Sequence, residues 1–372
     1  MSTLTNTLAV TIPDPGRLAE AAKWVARILG GKAMIPVLQG IKLTATDGVL
    51  RLSAFDFENS AETEVPAEII TAGEALIPGR VFAELAATKI TRIEADGSDL
   101  VIAAGRAKVR LRTLNLTEYP SVPEPPVPTH TIDNAALASA VARLAPLRDA
   151  ESEKGNPAFA GVDLRADGDW LILRGGCRYV IAEVLIPIEG DGALAALPPM
   201  RIVGELTKGV SGRAGIATPH ESIALTVGER VSTMRCLAVE MPDLSKVLDA
   251  HTGSSTKVKT GDLLAALGHT AMFSDRARLD LTPDRIVVST ATPIGKGYAE
   301  AESSLDIAAE SDDSRSVVVH IDRFMAALRV PDHPEIVIGF NATGRPLLAI
   351  SHPESTARAS FMAIDPQRAT GR

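Results

Sequence analysis

The chain has 372 residues, 45% of them apolar and 23% charged, with a formal net charge of −8. This is an ordinary globular balance, which excludes a disordered or collagen-like polymer. No run approaches the ~18–20 apolar residues of a membrane span, no basic-then-apolar leader opens the chain, and Cys177 and Cys236 are the only cysteines, so a cytoplasmic protein with free thiols is expected.

Taken in chain order, a strand at 8–12 precedes an apolar helix over 16–29, and strands follow near 40–46, 49–56 and 62–66. A second strand at 74–77 then precedes a helix from Arg80, with strands near 91–95, 100–104 and 108–113. Alternating apolar residues about the Asp47-Gly48 turn mark the first hairpin. The unit strand, helix, three strands therefore occurs twice. Five prolines between Pro120 and Pro128 then suit an extended connector.

The same order begins again. Helical patterns over 135–148 and 262–272 are each followed by a hairpin pattern, at 161–177 and 278–292. One phrase recurs three times: Arg80-Val81-Phe82-Ala83-Glu84-Leu85, Arg201-Ile202-Val203-Gly204-Glu205-Leu206 and Arg323-Phe324-Met325-Ala326-Ala327-Leu328, with arginines 121 and 122 residues apart. Closing phrases at Arg112–Pro120 and Arg235–Pro242 are echoed at Phe361–Pro366. Self-similarity at a fixed period is the mark of an array. Three tandem modules are expected, 1–124, 129–247 and 248–372, each a doubled β-α-β-β-β of α+β class with helices on one sheet face.

The six helical segments together carry +6 and the rest of the chain −14. Basic helices on an acidic body suit a protein that meets phosphates on one face and repels them elsewhere. No enzyme motif is found. The seven histidines have no metal-ligand spacing, Gly30-Gly31-Lys32-Ala33 lacks the first glycine and the Ser/Thr of a phosphate loop, and Val210-Ser211-Gly212 is no nucleophile elbow. No metal, cofactor or catalytic residue is expected.

Beyond the repeat, five segments match a known pattern: Gly31–Leu38, Asp47–Leu52, Phe55–Glu58, Pro78–Phe82 and Glu240–Leu244. Over essentially its whole length the chain resembles the bacterial DNA polymerase III sliding clamp, the beta subunit. The resemblance implies two chains paired head to tail, a ring of six modules with twelve helices lining the hole, and duplex DNA inside, bound without sequence preference. It implies a non-catalytic processivity factor. Expected partners are the replicative polymerase, the clamp loader and other proteins carrying a clamp-binding motif, or a small-molecule or peptide inhibitor in their place; no membrane partner is expected. The inner helices offer Arg17, Lys23, Arg27, Arg80, Arg143, Arg148, Arg201 and Lys208, and Lys32 matches a basic loop residue that contacts DNA. Ring closure would bring Val109 and Leu111 against Met272 and Phe273 of the second copy. A pocket for partner peptides would use Phe159, Arg174, Gly176, Cys177, Arg178 and Tyr179, then Pro242, Lys246 and Val247, and finally Pro346, Met362, Ala363 and Ile364.

Three departures from the family pattern bear on that pocket and on the DNA face. Ala363-Ile364-Asp365-Pro366 and a tail to Arg372 replace a Met-Pro-x-Arg-Leu ending, Asn156-Pro157-Ala158 stands where aromatic residues are usual, and Cys177 and Tyr179 change the pocket's shape. The alternative expectation is a divergent, second-copy clamp serving repair or tolerance to clamp-binding inhibitors.

Overall fold

The structure is a computed structural model that describes residues 6–30, 35–249, 253–291, 304–340 and 347–364. Its first elements are β1 (Thr7–Thr11), α1 (Pro15–Val25), β2 (Gly40–Thr46), β3 (Val49–Phe55), β4 (Asn59–Pro66), β5 (Glu68–Pro78), α2 (Gly79–Ala86), β6 (Ile90–Asp96), β7 (Asp99–Ala104) and β8 (Ala107–Arg112). Next come β9 (His130–Asp133), α3 (Asn134–Leu144), α4 (Ala150–Gly155), β10 (Asp163–Asp167), β11 (Trp170–Cys177), β12 (Val180–Gly190), β13 (Ala195–Ala196), α5 (Met200–Thr207), β14 (Arg213–Ala217), β15 (Ser222–Val227) and β16 (Arg230–Arg235). The last are α6 (Ser245–Leu248), β17 (Ser255–Lys259), α7 (Thr260–Thr270), β18 (Arg276–Thr282), β19 (Arg285–Thr290), β20 (Ser304–Ser311), β21 (Arg315–His320), α8 (Ile321–Leu328), β22 (Glu335–Phe340), β23 (Leu347–Ser351) and β24 (Ala357–Met362). The fold is α+β, as the strand and helix patterns predict.

Two helix boundaries differ from expectation. The carboxylate of Asp14 accepts from the backbone N–H groups of Gly16 and Arg17, and Pro15 occupies the first helical turn, so α1 starts where the sequence suggests. It ends at Val25, and residues 26–28 tighten into a 3-10 turn. Likewise α3 stops at Leu144 because Pro146 has no N–H to continue the ladder, and residues 145–147 form a second 3-10 turn.

The chain divides into two compact units, Met1–Ala135 with Glu189–Cys236, and Ala136–Ile188 with Leu237–Arg372. In the first, an all-antiparallel sheet runs β9-β14-β15-β16-β4-β3-β2-β5-β1-β6-β7-β8. Its core holds Leu18 and Phe82 from the helices and Ile41, Leu43, Leu50, Leu52, Leu76 and Ile77 from the strands, all fully buried. Each such side chain contributes roughly 1.5–3 kcal/mol of hydrophobic stabilisation. In the second unit the order is β10-β11-β12-β24-β23-β22-β17-β20-β19-β18-β21. There Phe324 of α8 meets Phe361 of β24 edge to face, with ring centroids 5.0 Å apart.

One seam in each unit joins strands far apart in sequence. Residues 59–63 of β4 pair with 230–234 of β16, and 180–184 of β12 pair with 357–361 of β24. The two seams use repeat-equivalent strands, the third hairpin strand of one repeat and the last strand of the next.

Candidate functional sites

In the first unit, the end of α1 meets the end of α5. The indole Nε1 of Trp24 donates to the carbonyl oxygen of Leu206 at 2.9 Å, and Nη1 of Arg27 donates to the carbonyls of Glu205 and Lys208, both at 2.7 Å. These carbonyls belong to a helix C-terminus and have no intrahelical donor, so the two side chains act as its cap. Burial pushes the Arg27 guanidinium below its ordinary pKa; Glu205 opposes the shift and Arg230 adds to it. Arg230 also lies over the Trp24 ring, 5.6 Å from its centroid. Arg80 caps similarly, donating to the carbonyls of Leu29 and Gly30 at 3.0 and 2.9 Å.

The second unit repeats the device. Arg143 of α3 donates to the carbonyl of Val330, just past α8, at 3.0 Å, and burial lowers its pKa. Trp24 and Arg143 are equivalent, each six residues after the first buried leucine of its helix, Leu18 and Leu137. Arg148 is neutralised by Glu153 at 2.7 Å.

The proposed DNA contacts therefore fall into three groups. Arg17, Lys23, Arg201 and Lys208 are exposed and make no side-chain hydrogen bond or ion pair with the described residues. Arg27, Arg80 and Arg143 are tied to carbonyls, which orient a charge without cancelling it, whereas Arg148 is matched by a carboxylate. Lys32 lies outside the described residues. Trp24 and Arg230 were not anticipated; the aromatic residue amid basic ones on α1 was the available signal.

All described residues of the proposed peptide pocket lie in the second unit. The β12–β24 seam gathers several of them. The backbone N–H of Met362 donates to the Tyr179 carbonyl at 2.8 Å, and Ser360 Oγ donates to the Val247 carbonyl at 2.9 Å. Val180 and Phe361 are directly paired, and Ile364 continues as a bridge to Val318. Gly176 sits at φ +146°, where an added Cβ would lie 2.1 Å from the Val180 carbonyl oxygen, so a glycine is required at this tight β11–β12 corner. Cys177 is fully buried and is core, while Met362 is 37% exposed. Phe159, buried in a 3-10 turn capped by Asn156, packs with that turn on β11. Ala363 is buried; Pro242 and Lys246 are exposed. Pro346, Asp365 and Pro366 lie outside the described residues.

Charge holds this region in shape. Glu183 is 4% exposed and accepts from Arg174 Nε at 2.7 Å and Arg358 Nε at 3.0 Å. Arg358 reaches on to Asp249 at 2.9 Å, tying the α6 segment to β24. The ring of Tyr179 is flanked by two guanidinium groups, Arg178 at 4.8 Å and Arg323 at 4.3 Å, and Arg323 is anchored on Asp149 at 3.1 Å. Hydrogen bonds from Ser152, with the Arg323 charge, hold the Asp149 carboxyl below its usual pKa. Arg323, Glu183 and Arg358 were missed as site residues, although Arg323 heads the third copy of the repeated phrase.

Val109 and Leu111 are half-buried on β8, which pairs with β7 and with no second strand among the described residues. Lys108, Arg110 and Arg112 alternate with them and are exposed. Met272 is 65% exposed and Phe273 half-buried, just beyond α7.

Residues 14–123 match the family described as DNA polymerase III beta subunit, N-terminal domain. The beta sliding clamp of Streptomyces coelicolor is 28% identical over 358 residues, covering 92% of this chain and 94% of that protein. A beta sliding clamp homolog of Streptomyces muensis, GriR, is 28% identical over 284 residues, covering 73% and 76%. The DNA polymerase sliding clamp of Bacillus subtilis superposes with a TM-score of 0.87 at 19% identity, covering 97% of this chain and all of that one, and a Pseudomonas aeruginosa clamp bound to griselimycin gives 0.84 at 18%. The repeated fold agrees with these likenesses: residues 14–123 match the DNA polymerase III beta subunit family, and the chain is similar over nearly its whole length to bacterial beta sliding clamps.

Proposed function

We infer that this protein is a processivity factor: two copies close into a ring of six modules around duplex DNA and tether the replicative polymerase, with no reaction of their own. The modules are residues 1–124, 129–247 and 248–372. The observation that carries this reading is the pair of equivalent strand seams, β4–β16 and β12–β24. Among the described residues, the same rule leaves β8 and residues 304–308 of β20 without their equivalent partners. A second copy would supply them. An unpaired edge is a liability until another strand covers it, and the basic face of β8 suits the acidic Asp306 and Glu310 on β20.

The helix ends support the same closure. The third residue in the Trp24–Arg143 series is His269, six after Leu263; it is exposed and edge-on to Phe273 at 5.6 Å. Its counterpart acceptor is the C-terminal turn of α2, Leu85–Ala87, on the second copy. Met272 and Phe273 then reach Val109 and Leu111.

DNA inside such a ring is held by weak phosphate contacts, for which Arg17, Lys23, Arg201 and Lys208 are cations without a side-chain partner among the described residues and Arg27, Arg80 and Arg143 the oriented ones. Topology does what affinity does elsewhere, so sliding is permitted. Solution mass is the first test: about twice 39.1 kDa is expected, and a monomer at working concentration would refute the ring. After loading, retention on closed circles should resist salt while retention on linear DNA does not; equal salt sensitivity would also refute it.

Partner peptides dock, in this reading, along the β12–β24 seam around Arg174, Tyr179, Val247 and Met362. A griselimycin-bound clamp shares the fold, and inhibitor binding here is proposed for the same pocket. The clamped Tyr179 favours the second reading, a divergent copy with altered ligand choice, since a mismatch of even one methylene in an apolar pocket costs about 1–3 kcal/mol. Failure to stimulate polymerase on primed circles would select that copy over the main one.

A further inference from the structure

His333 and His352 are nineteen residues apart, on the loop after α8 and the turn between β23 and β24, yet their rings stack with centroids 3.4 Å apart and planes 13° from parallel. Glu354 adds a carboxylate oxygen 3.6 Å from His333 Nε2. One donor atom from each of the three lies within 4.8 Å of the other two.

We propose that His333, His352 and Glu354 form a site for a divalent transition metal, with zinc the ion whose chemistry fits best. Two neutral imidazoles and one carboxylate are a borderline donor set, favouring zinc over the hard cations that prefer oxygen. Zn–N bonds of about 2.0–2.1 Å place neighbouring tetrahedral ligands about 3.3 Å apart, close to the 3.6 Å between His333 Nε2 and the Glu354 carboxylate. The two stacked rings, whose lone pairs lie in nearly parallel planes, would turn about their side-chain bonds to converge on one ion. The fourth position would be left to water.

The surroundings are prepared for this role. Nδ1 of His333 lies 2.8 Å from the Glu335 carbonyl oxygen and 3.2 Å from the Glu335 backbone N–H; in the tautomer that donates to the carbonyl, the Nε2 lone pair is left for a metal, the arrangement usual behind ligating histidines. His352 must give up a longer 3.2 Å bond that its Nδ1 accepts from the Glu354 N–H. Each histidine precedes a proline, Pro334 or Pro353, which narrows its backbone to extended conformations. The loops are pinned before any ion arrives: Thr260 Oγ1 donates to the His333 carbonyl at 2.7 Å and Ser355 Oγ to the Pro331 carbonyl at 2.6 Å. The neighbouring carboxylate of Glu335 is occupied by Lys257 at 2.7 Å, so Glu354 is the acid available. A bound ion would tie the turn that leads into β24 to the loop that leaves α8.

The test is calorimetric titration of the untagged full-length chain with zinc, together with the visible spectrum of the cobalt-loaded protein. One equivalent of zinc and a tetrahedral cobalt spectrum are expected, with a raised melting temperature. His352→Gln and Glu354→Gln, both surface turn changes that spare the fold, should each weaken zinc binding at least about tenfold, the loss already typical of removing a group behind a ligand. Absence of stoichiometric binding by the native chain would overturn the site. So would undiminished binding by both variants, which retain Cys177, Cys236 and the other histidines.

Discussion

The guanidinium of Arg143 donates to the carbonyl oxygen of Val330 across 187 positions of sequence, at 3.0 Å, and its Nε is buried without a partner among the described residues. A side chain held this way carries its charge to a defined place and also caps α8. Loss of Arg143 therefore acts on stability before it acts on ligand binding. Arg143→Ala should lower unfolding free energy by about 1–3 kcal/mol, the cost of leaving a buried carbonyl unsatisfied, read from urea denaturation. An unchanged midpoint would show that the cap contributes nothing.

Arg201 and Lys208 are free of such duties. Arg201→Ala and Lys208→Ala should leave the melting temperature nearly unchanged while lowering duplex affinity, and each should reduce the slope of log affinity against log salt by about 1. Equal slopes in variant and native protein would remove these residues from the DNA face.

Glu183 lies between two guanidinium groups that are themselves partly exposed, 18% for Arg174 and 38% for Arg358. Solvent around the arginines screens what would otherwise be a larger loss. Glu183→Ala should cost about 1–3 kcal/mol and loosen the Asp249 end of α6, weakening any peptide held beside Val247. Competition binding with a clamp-binding peptide would measure it, and native affinity in the variant would detach the charge network from the pocket.

Asp149 gives a pH signature. Its folded-state pKa is depressed, first by Ser152 and then by Arg323. Its contribution is therefore present above its unfolded value, about 3.9, and lost as pH falls through the lower folded value. Asp149→Ala should cost about 1 kcal/mol at neutral pH as a lost N-cap, and the gap between variant and native protein should close on acidification from pH 5 to 2. A gap constant with pH would mean that the charge on Asp149 is irrelevant.

In the proposed ring, closure would use apolar contact at Phe273 and polar contact at His269. Phe273→Arg should give a monomer by analytical ultracentrifugation, and His269→Ala a dimer that dissociates at higher concentration than the native one. Dimers of native strength in both would move the interface elsewhere.

Helix and strand patterns were legible because each element alternates buried and exposed residues at its own period. The stop at Leu144 is written in Pro146, and the turn at Asp47-Gly48 in its positive φ values. Charge was less legible. Arg148 and Arg201 look alike in a helix pattern, yet one meets Glu153 five residues on and the other meets water. The pairing of Arg174 with Glu183 spans adjacent strands, and its extension to Arg358 needs the β12–β24 seam.

Local order along the chain, and hence the threefold repetition of the fold, follows from short-range physics: hydrophobic period, caps and turn residues act over a few positions and are visible in the letters. Which cations stay free, where Tyr179 is clamped, and that His333 meets His352 depend on contacts between segments distant in sequence. Those are set by strand register and helix packing, which place side chains to within a few ångströms only once the core has closed.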